Sequence, residues 1–434
     1  MTTTTYSGGY NTKLVFALAL SMGIMSFDQG SVGYLLPFIK PDLKLTNTEI
    51  GAVASTYWVT FAVASYGVGI LANRIGSVRT CLIVVLCAFG MCSIGSALVA
   101  GVSSLLLARA VMGLLAGAIL TLSQSILGLA SPPDRIGTNM GLVTGFGSSL
   151  SGLVIAPIVL VQIATMLGWR LGYVAIAIPA WLAAVLVQWN IPKLEVRSSK
   201  SMDDGPRFKA FVKSLRDIFG YRNIVLCSIL CSLYVAYISL GFIFLPIYFV
   251  NVRHFSPTVM SALIVVLGIS AIFFSITLPV ISNRVGRKMV MVVACGTSIL
   301  TPLAACYFGG NIFILGALLF LGWSMSGTGT FSMGIIPAET VEPEVLSRAL
   351  GFVIALGVLV GGLAGPTIAG WSADHWGPTA PLLVEAICAA AASCVGLALI
   401  ETGPGSRFRR DKMPSLDSSG AQAVPASVKT MRHD

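Results

Sequence analysis

Apolar stretches of about 20 residues recur from one end of this 434-residue chain to the other. Each is long enough to cross the hydrocarbon core of a bilayer as a helix. In lipid only helices and closed barrels satisfy their own backbone groups, and runs this long and uniformly apolar read as helices. Composition agrees: 56% of residues are hydrophobic and 10% charged, against roughly 25% charged in a soluble domain. That excludes a soluble enzyme, a disordered chain and a disulfide scaffold. Twelve spans need about 240 residues, which leaves short loops, one longer middle loop and two tails.

The spacing predicts spans over approximately 14–36, 49–72, 80–100, 104–130, 139–164, 172–191, 222–249, 258–282, 288–308, 311–336, 347–371 and 380–400. The fold class is therefore an all-α membrane protein of 12 transmembrane helices. With both termini cytoplasmic, the inner segments hold 22 Lys and Arg residues and the outer segments 4, with Arg109 inside a span. Positive charge is retained on the cytoplasmic side, so this count predicts the orientation. The +10 net charge thus reflects topology, and no nucleic-acid partner is expected. The lack of an Asn-x-Ser/Thr sequon fits a bacterial cell (inner) membrane.

Landmarks repeat at an offset of 209 to 210 residues. Asn73-Arg74-Ile75-Gly76 follows the second span and Asn283-Arg284-Val285-Gly286 the eighth; Ala156-Pro157 lies in the fifth and Gly365-Pro366 in the eleventh; Leu36-Pro37 ends the first and Leu245-Pro246 the seventh. Recurrence in one order predicts two six-helix halves, 1–191 and 222–401. A basic cytoplasmic linker, 192–221, joins them, and a polar tail, 402–434, is expected to be disordered. Parallel halves of this kind build transporters, with the substrate between them near the membrane midplane.

Gly69-Ile70-Leu71-Ala72-Asn73-Arg74-Ile75-Gly76-Ser77-Val78-Arg79 resembles the G-x-L-A-D-R-x-G-R-K loop of the major facilitator superfamily, and the resemblance covers essentially the whole chain. Asn73 and Asn283 stand where that signature has Asp. The resemblance implies that Asn73, Arg74, Gly76, Asn283, Arg284 and Gly286 form a cytoplasmic latch between the halves. Within the superfamily the first half is similar to the anion:cation symporters, which move organic acids with protons. The matching points are Asp28, Arg109, Gly147-Ser148-Ser149-Leu150 with Ala156-Pro157, and Gly168-Trp169-Arg170. Two charged positions of that branch are replaced, by Gln29 and Ala116.

Ionised groups inside a span cost at least ~2.5 kcal/mol and so face water or a partner. Asp28 and Arg109 lie roughly 12 and 9 Å below the outer boundary at 1.5 Å per residue, level across any central cavity. Asp28 is the candidate proton-coupling residue. Arg109 is the candidate anchor for a carboxylate, which a guanidinium grips at two points. The remaining candidates for substrate binding are Gln29, Tyr234, Tyr237, Trp323 and Ser324. With one carboxylate, one proton per turnover is expected. Glu385, near the outer end of the last span, is expected to snorkel to the interface, and Glu339 to be solvated. Three glycine stripes (Gly113/Gly117, Gly141/Gly145, Gly357/Gly361/Gly365) predict close helix packing, at surfaces that slide as the halves move.

The expected activity is proton-coupled import of a small organic anion, an aromatic or hydroxy carboxylate, by a monomer. The alternative is a proton-coupled drug or metabolite exporter; the G-x3-G-P-x2-G-G pattern of such exporters is not spelled by Gly147–Pro157. No HExxH, P-loop or Ser/His pair points to an enzyme. The nine cysteines form no CxxC pair and the three histidines are scattered, so neither a metal nor a cofactor is expected.

Overall fold

The computed structural model describes residues 12–132, 135, 139–191 and 220–403. Most of the expected linker, nearly all of the expected tail and the side chains of Asn73 and Arg74 lie outside the described residues. The first half comprises α1 (Thr12–Leu43), α2 (Asn47–Ile75), α3 (Val78–Ala97), α4 (Val102–Ala130), α5 (Gly141–Leu167) and α6 (Trp169–Asn190). The second comprises α7 (Arg222–Asn251), α8 (Pro257–Val285), α9 (Arg287–Tyr307), α10 (Ile312–Thr340), α11 (Pro343–Trp376) and α12 (Ala380–Leu397). Among the described residues, 11 helices are long and apolar enough to cross a membrane. The remaining one, α2, is 29 residues long, within their range of 18 to 32, and carries Thr48, Ser55, Thr56, Thr60 and Ser65.

The duplication is visible in the backbone. Among the described residues, six have positive φ: Lys44, Gly76, Gly168, His254, Gly286 and Gly377. They fall into three pairs, Lys44 with His254, Gly76 with Gly286, and Gly168 with Gly377, each 209 or 210 residues apart. Left-handed turns close the same connections in both halves. Gly76 (φ 76°) and Gly286 (φ 104°) are the glycines of the repeated Asn-Arg-x-Gly loop, where a side chain would be strained.

Helix limits differ most from expectation at α1, which continues seven residues past the expected end at 36 and through Pro37 and Pro41. Each proline removes one helical N–H. The last turn is instead held from outside: Asp42 accepts bonds from Trp169 Nε1 (3.0 Å) and Arg170 Nη1 (2.7 Å). Three spans are not uniformly α-helical: α9 is interrupted at Ser298 and Ile299, between Arg287–Thr297 and Leu300–Tyr307, and α5 and α10 change pitch. α5 winds as π-helix over Gly141–Gly147 and Leu150–Ile155, and α10 tightens to 3₁₀ over Trp323–Gly327 and loosens to π over Phe331–Ile335.

Two of the three glycine stripes join helices within a half, which corrects the expectation of sliding surfaces, and the third, Gly141/Gly145, faces open space rather than a packed helix among the described residues. A Cβ at Gly113 or Gly117 would strike the α2 carbonyls of Tyr57 or Phe61, and one at Gly357 or Gly361 would strike Cys231 or Ser232 of α7. Close approach between the halves uses other glycines. Gly33 sits on the Phe242 carbonyl, Gly51 on that of Pro366, Gly370 on that of Asn47 and Gly268 on that of Leu153.

At the Asn47 end of the bundle (the outer end in the expected orientation) the halves are bonded together. Asp374 of α11 receives the first turn of α2: its Oδ1 accepts from the Asn47 N–H (3.1 Å) and Nδ2 (2.7 Å), its Oδ2 from the Thr48 N–H (2.7 Å) and Oγ1 (2.6 Å). A carboxylate on exposed helix N-terminal amides is favourable both as hydrogen bonding and as charge against the helix dipole. Further in, Ser55 shares a bond with Thr367 (2.8 Å) and donates to the Leu363 carbonyl (2.9 Å).

At the opposite end, the second copy of the repeated loop is tied within its own half. Arg287 pairs with Glu339 (3.1 Å) and bonds the Ser282 hydroxyl, and Glu401 accepts the backbone N–H groups of Arg287 (2.7 Å) and Lys288 (3.0 Å). Glu339 is therefore not solvated as expected: Arg287 and Thr402 (2.7 Å) hold it. Asn283 and Arg284 are exposed.

Candidate functional site

Asp28 and Arg109 meet. Both are fully buried, with Arg109 Nη1 donating to Asp28 Oδ2 at 3.4 Å. The contact is long and single-point, so neither group is used up. Asp28 Oδ1 and Arg109 Nε find no hydrogen-bond partner in the protein. Arg109 Nη2 donates to Ser96 Oγ (3.3 Å), and its guanidinium lies 5.1 Å from the Tyr173 ring centroid, a cation–π distance. Ser96 and Tyr173 thus aim the arginine from α3 and α6. Tyr34, five residues beyond Gln29, ties α1 to α5 by donating to the Gly152 carbonyl (2.8 Å).

Arg109, rather than Asp28, reaches the space between the halves. A small cavity of about 30 Å³ is lined by Gln29 of α1, Tyr57 and Trp58 of α2, Arg109 of α4, and Ser239, Phe242 and Ile243 of α7. One water needs roughly 10–15 Å³ measured this way, so the site is closed down around very little. Its wall nonetheless holds unspent polar atoms: Tyr57 Oη and Ser239 Oγ, like Arg109 Nε, have no partner in the protein. Buried polar groups are normally satisfied, and their concentration on one cavity wall marks a place built for a polar ligand. A larger hollow of about 790 Å³ between α8, α9 and α10 lacks this character. Its lining is mainly apolar, with Val285, Met289 and Val293 exposed as on a lipid-facing surface, although Thr297 and buried Ser324 also border it.

The second-half candidates do not gather on the cavity. Tyr237 is fully buried, and its hydroxyl is within 3.0 Å of the Ser298 carbonyl and 3.3 Å of that of Gly322. Ser324 is bound up with Thr297 and Ser298 and donates to the Ala294 carbonyl (2.8 Å). Trp323 packs on Tyr237 at 5.2 Å and on Phe242 at 6.0 Å. Tyr234 lies against Gly329. Helix rotation is the reason. Tyr237 and Gly241 share one face of α7, whereas Ser239, Phe242 and Ile243 occupy the opposite one. The residue aligned with Asp28 by the sequence offset therefore points into the second half, and its neighbour two positions on lines the cavity. Tyr57 and Trp58, an adjacent aromatic pair in mid-span, were the available sequence signal for the α2 wall. Ser239 had none.

Glu385 corrects a second expectation. It does not snorkel to the interface; it is fully buried, and neither carboxyl oxygen finds a hydrogen-bond partner. α12 packs on α7, α9 and α11, and a Cβ on Gly241 of α7 would meet both Glu385 Oε1 and the Trp323 ring of α10.

The profile of the Major Facilitator Superfamily matches residues 18–337 and again 254–433. The chain belongs to that superfamily. It is a multi-pass membrane transporter of small molecules rather than an enzyme. It is 27% identical over 197 residues to the hexuronate transporter of Bacillus subtilis (strain 168), a match spanning 45% of each chain and thus less than half of that relative. It is 22% identical over 427 residues to a probable 4-methylmuconolactone transporter of Cupriavidus pinatubonensis (strain JMP 134 / LMG 1197), covering 96% of this chain and 97% of that one. Among solved structures, a mutant of the nucleoside transporter NupG superimposes with a TM-score of 0.73 at 17% identity, over 89% of this chain and 99% of that one. At that identity the likeness speaks for the superfamily fold alone.

Proposed function

We propose that this superfamily member is a proton-coupled symporter importing a small organic anion, an aromatic or hydroxy carboxylate, by alternating access. The observation that carries this reading is the buried Asp28–Arg109 pair, with its arginine on the wall of a cavity shared by the two halves. A hexuronate, named for one relative, is a hydroxy carboxylate, the class such a site would take. The aromatic members of the wall, Tyr57, Trp58 and Phe242, suit an unsaturated or ring-bearing acid equally.

Coupling follows from competition for one guanidinium. While Asp28 is ionised, it neutralises Arg109. A substrate carboxylate arriving then would place two anions on one cation. A proton on Asp28 removes its charge, and an uncompensated buried arginine is costly by roughly 3–5 kcal/mol. The substrate carboxylate relieves that cost, with Tyr57 Oη, Ser239 Oγ and Gln29 as further donors. Proton and anion thus favour each other's binding, and a monoanion carried with one proton crosses electroneutrally. The closed site then carries no net charge beyond that of the resting pair, which lowers the cost of passing through the occluded state. Asp374 and the first turn of α2 close the outer end, and the Asn-Arg-x-Gly loops (Asn73, Arg74, Gly76, Asn283, Arg284, Gly286) act as the inner latch. Import, a bacterial cell membrane and a monomeric unit complete the reading, with both termini inside, an orientation supported by the 22-to-4 distribution of basic residues.

The test is proton movement in proteoliposomes loaded with a pH-sensitive dye, corrected against protein-free vesicles. Benzoate, mandelate and gluconate are offered in turn. Proton influx driven by any of them is expected. No influx with any of the three, together with proton efflux on adding a lipophilic cation, would replace symport by export.

A further inference from the structure

The carboxyl-terminal half holds an acid that the mechanism above leaves idle. Glu385 is the sixth residue of α12, about 8 Å in from the helix start at 1.5 Å per residue. It is fully buried and both its oxygens are without a partner. The titratable groups facing it are all neutral when protonated: Tyr237 on α7, Cys306 on α9 and Cys388 on α12 itself. On the α10 side, the Trp323 ring crowds the same Gly241 that Glu385 approaches, and its Nε1 is likewise unpartnered. The titratable residues described on α11 (Arg348, Asp374 and His375) lie near that helix's ends. Arg253, the cation near Cys306, is spent on the carbonyls of Ala305 (3.0 Å) and Phe308 (2.7 Å). An ionised carboxylate in such a place costs far more than a neutral acid.

The position is also connected. Glu385 and Trp323 crowd the same α-carbon, Gly241. Trp323 packs on Phe242, which lines the central cavity, and the Phe242 carbonyl seats Gly33 of the opposite half. The acid therefore sits two contacts from both the cavity and the α1–α7 join between halves.

We propose that Glu385 is a second proton-binding group of the transporter, which holds a proton while the outer end is closed and exchanges it when the Trp323–Gly241 contact repacks. The exchange rests on the symport reading; the proton held in this closed state does not. The cycle then moves one proton at Asp28 and one at Glu385, where the Asp28 site alone moves one, and a monoanion carried with both crosses with one net positive charge rather than electroneutrally.

Two measurements separate these claims. The first is infrared spectroscopy of the purified wild type, Asp28→Asn and Glu385→Gln across a pH series, with monodispersity checked and Glu385→Leu as a second folded control. A protonated-carboxyl C=O band present in wild type and in Asp28→Asn, and absent from both Glu385 variants, is expected. A spectrum unchanged by Glu385→Gln overturns the proposal whether or not the protein is a symporter. The second is the number of protons entering per labelled benzoate, mandelate or gluconate, whichever is transported. Glu385→Gln is expected to lower the ratio by one relative to wild type. An unchanged ratio alongside the infrared band makes Glu385 a permanently neutral acid and also overturns the proposal. Absence of all acid-driven influx in wild type fails the symport reading, and with it the exchange, while the infrared result still decides whether the proton is held.

Discussion

The two halves repeat one backbone and carry different chemistry. Their turns fall at matched positions, Gly76 with Gly286 and Gly168 with Gly377. Yet the first half places a paired charge at the cavity wall, and the second places a lone acid behind an aromatic screen. In the first half Arg109 is aimed by Ser96 and Tyr173 and left with a free Nε. In the second, Trp323 and Phe242 separate Glu385 from the cavity that Phe242 lines. Duplication thus fixes where helices turn and cross, whereas the function depends on which helix face each side chain takes.

The sharpest way to break this comparison is to remove the arginine. Arg109→Gln strips the only cation among the residues lining the cavity. Truncating one partner of a buried charge pair costs roughly 2–5 kcal/mol, or at least about 30-fold in affinity. Equilibrium binding of benzoate or gluconate, measured by calorimetry, should fall by that factor, and Arg109→Lys should recover only part of it because an ammonium lacks the planar fork. Undiminished binding would move the anion site out of the first half.

A smaller effect is expected at the join between halves. Gly33→Val puts a side chain into the Phe242 carbonyl, and overpacking of this kind costs about 1–3 kcal/mol. The Asn47 end of α2 and the Asp374 end of α11 should then separate, read as a longer distance between spin labels at the exposed positions Thr46 and Trp376. The smallest effect is at the exposed bond between Asp374 and the first turn of α2. Asp374→Asn keeps the shape but loses the charge on the α2 amides, which at a solvent-exposed site should weaken closure by no more than about 1 kcal/mol. The same label pair should show a modest rise in the open population. A change larger than that of Gly33→Val would mean that Asp374, and not glycine packing, controls the outer end.

Much of this was legible in the chain. Twelve spans, the duplication and the Asp28–Arg109 level follow from hydropathy, repeated turns and the cost of charge in lipid. The rest depends on rotation about helix axes. Tyr237 and Ser239 differ by two positions and face opposite ways, and an offset carried over from Asp28 cannot see that. Glu385 has the sequence context of a snorkelling residue, near a helix start with apolar neighbours. Only the packing of α12 on α7, α9 and α11 reveals that its path to the interface is closed. The glycine stripes had the right spacing, but spacing alone does not say which helix lies opposite.

The most direct test of the central claim is the pH dependence of anion affinity in wild type and Asp28→Asn, using benzoate or gluconate. If the substrate replaces Asp28 on Arg109, binding takes up a proton there. Affinity then rises as pH falls through the titration of Asp28, by up to about tenfold per pH unit. Asp28→Asn, which is neutral at every pH, should bind the anion with this dependence abolished. A pH slope in Asp28→Asn equal to that of wild type would contradict the account, because the proton would then be taken up elsewhere.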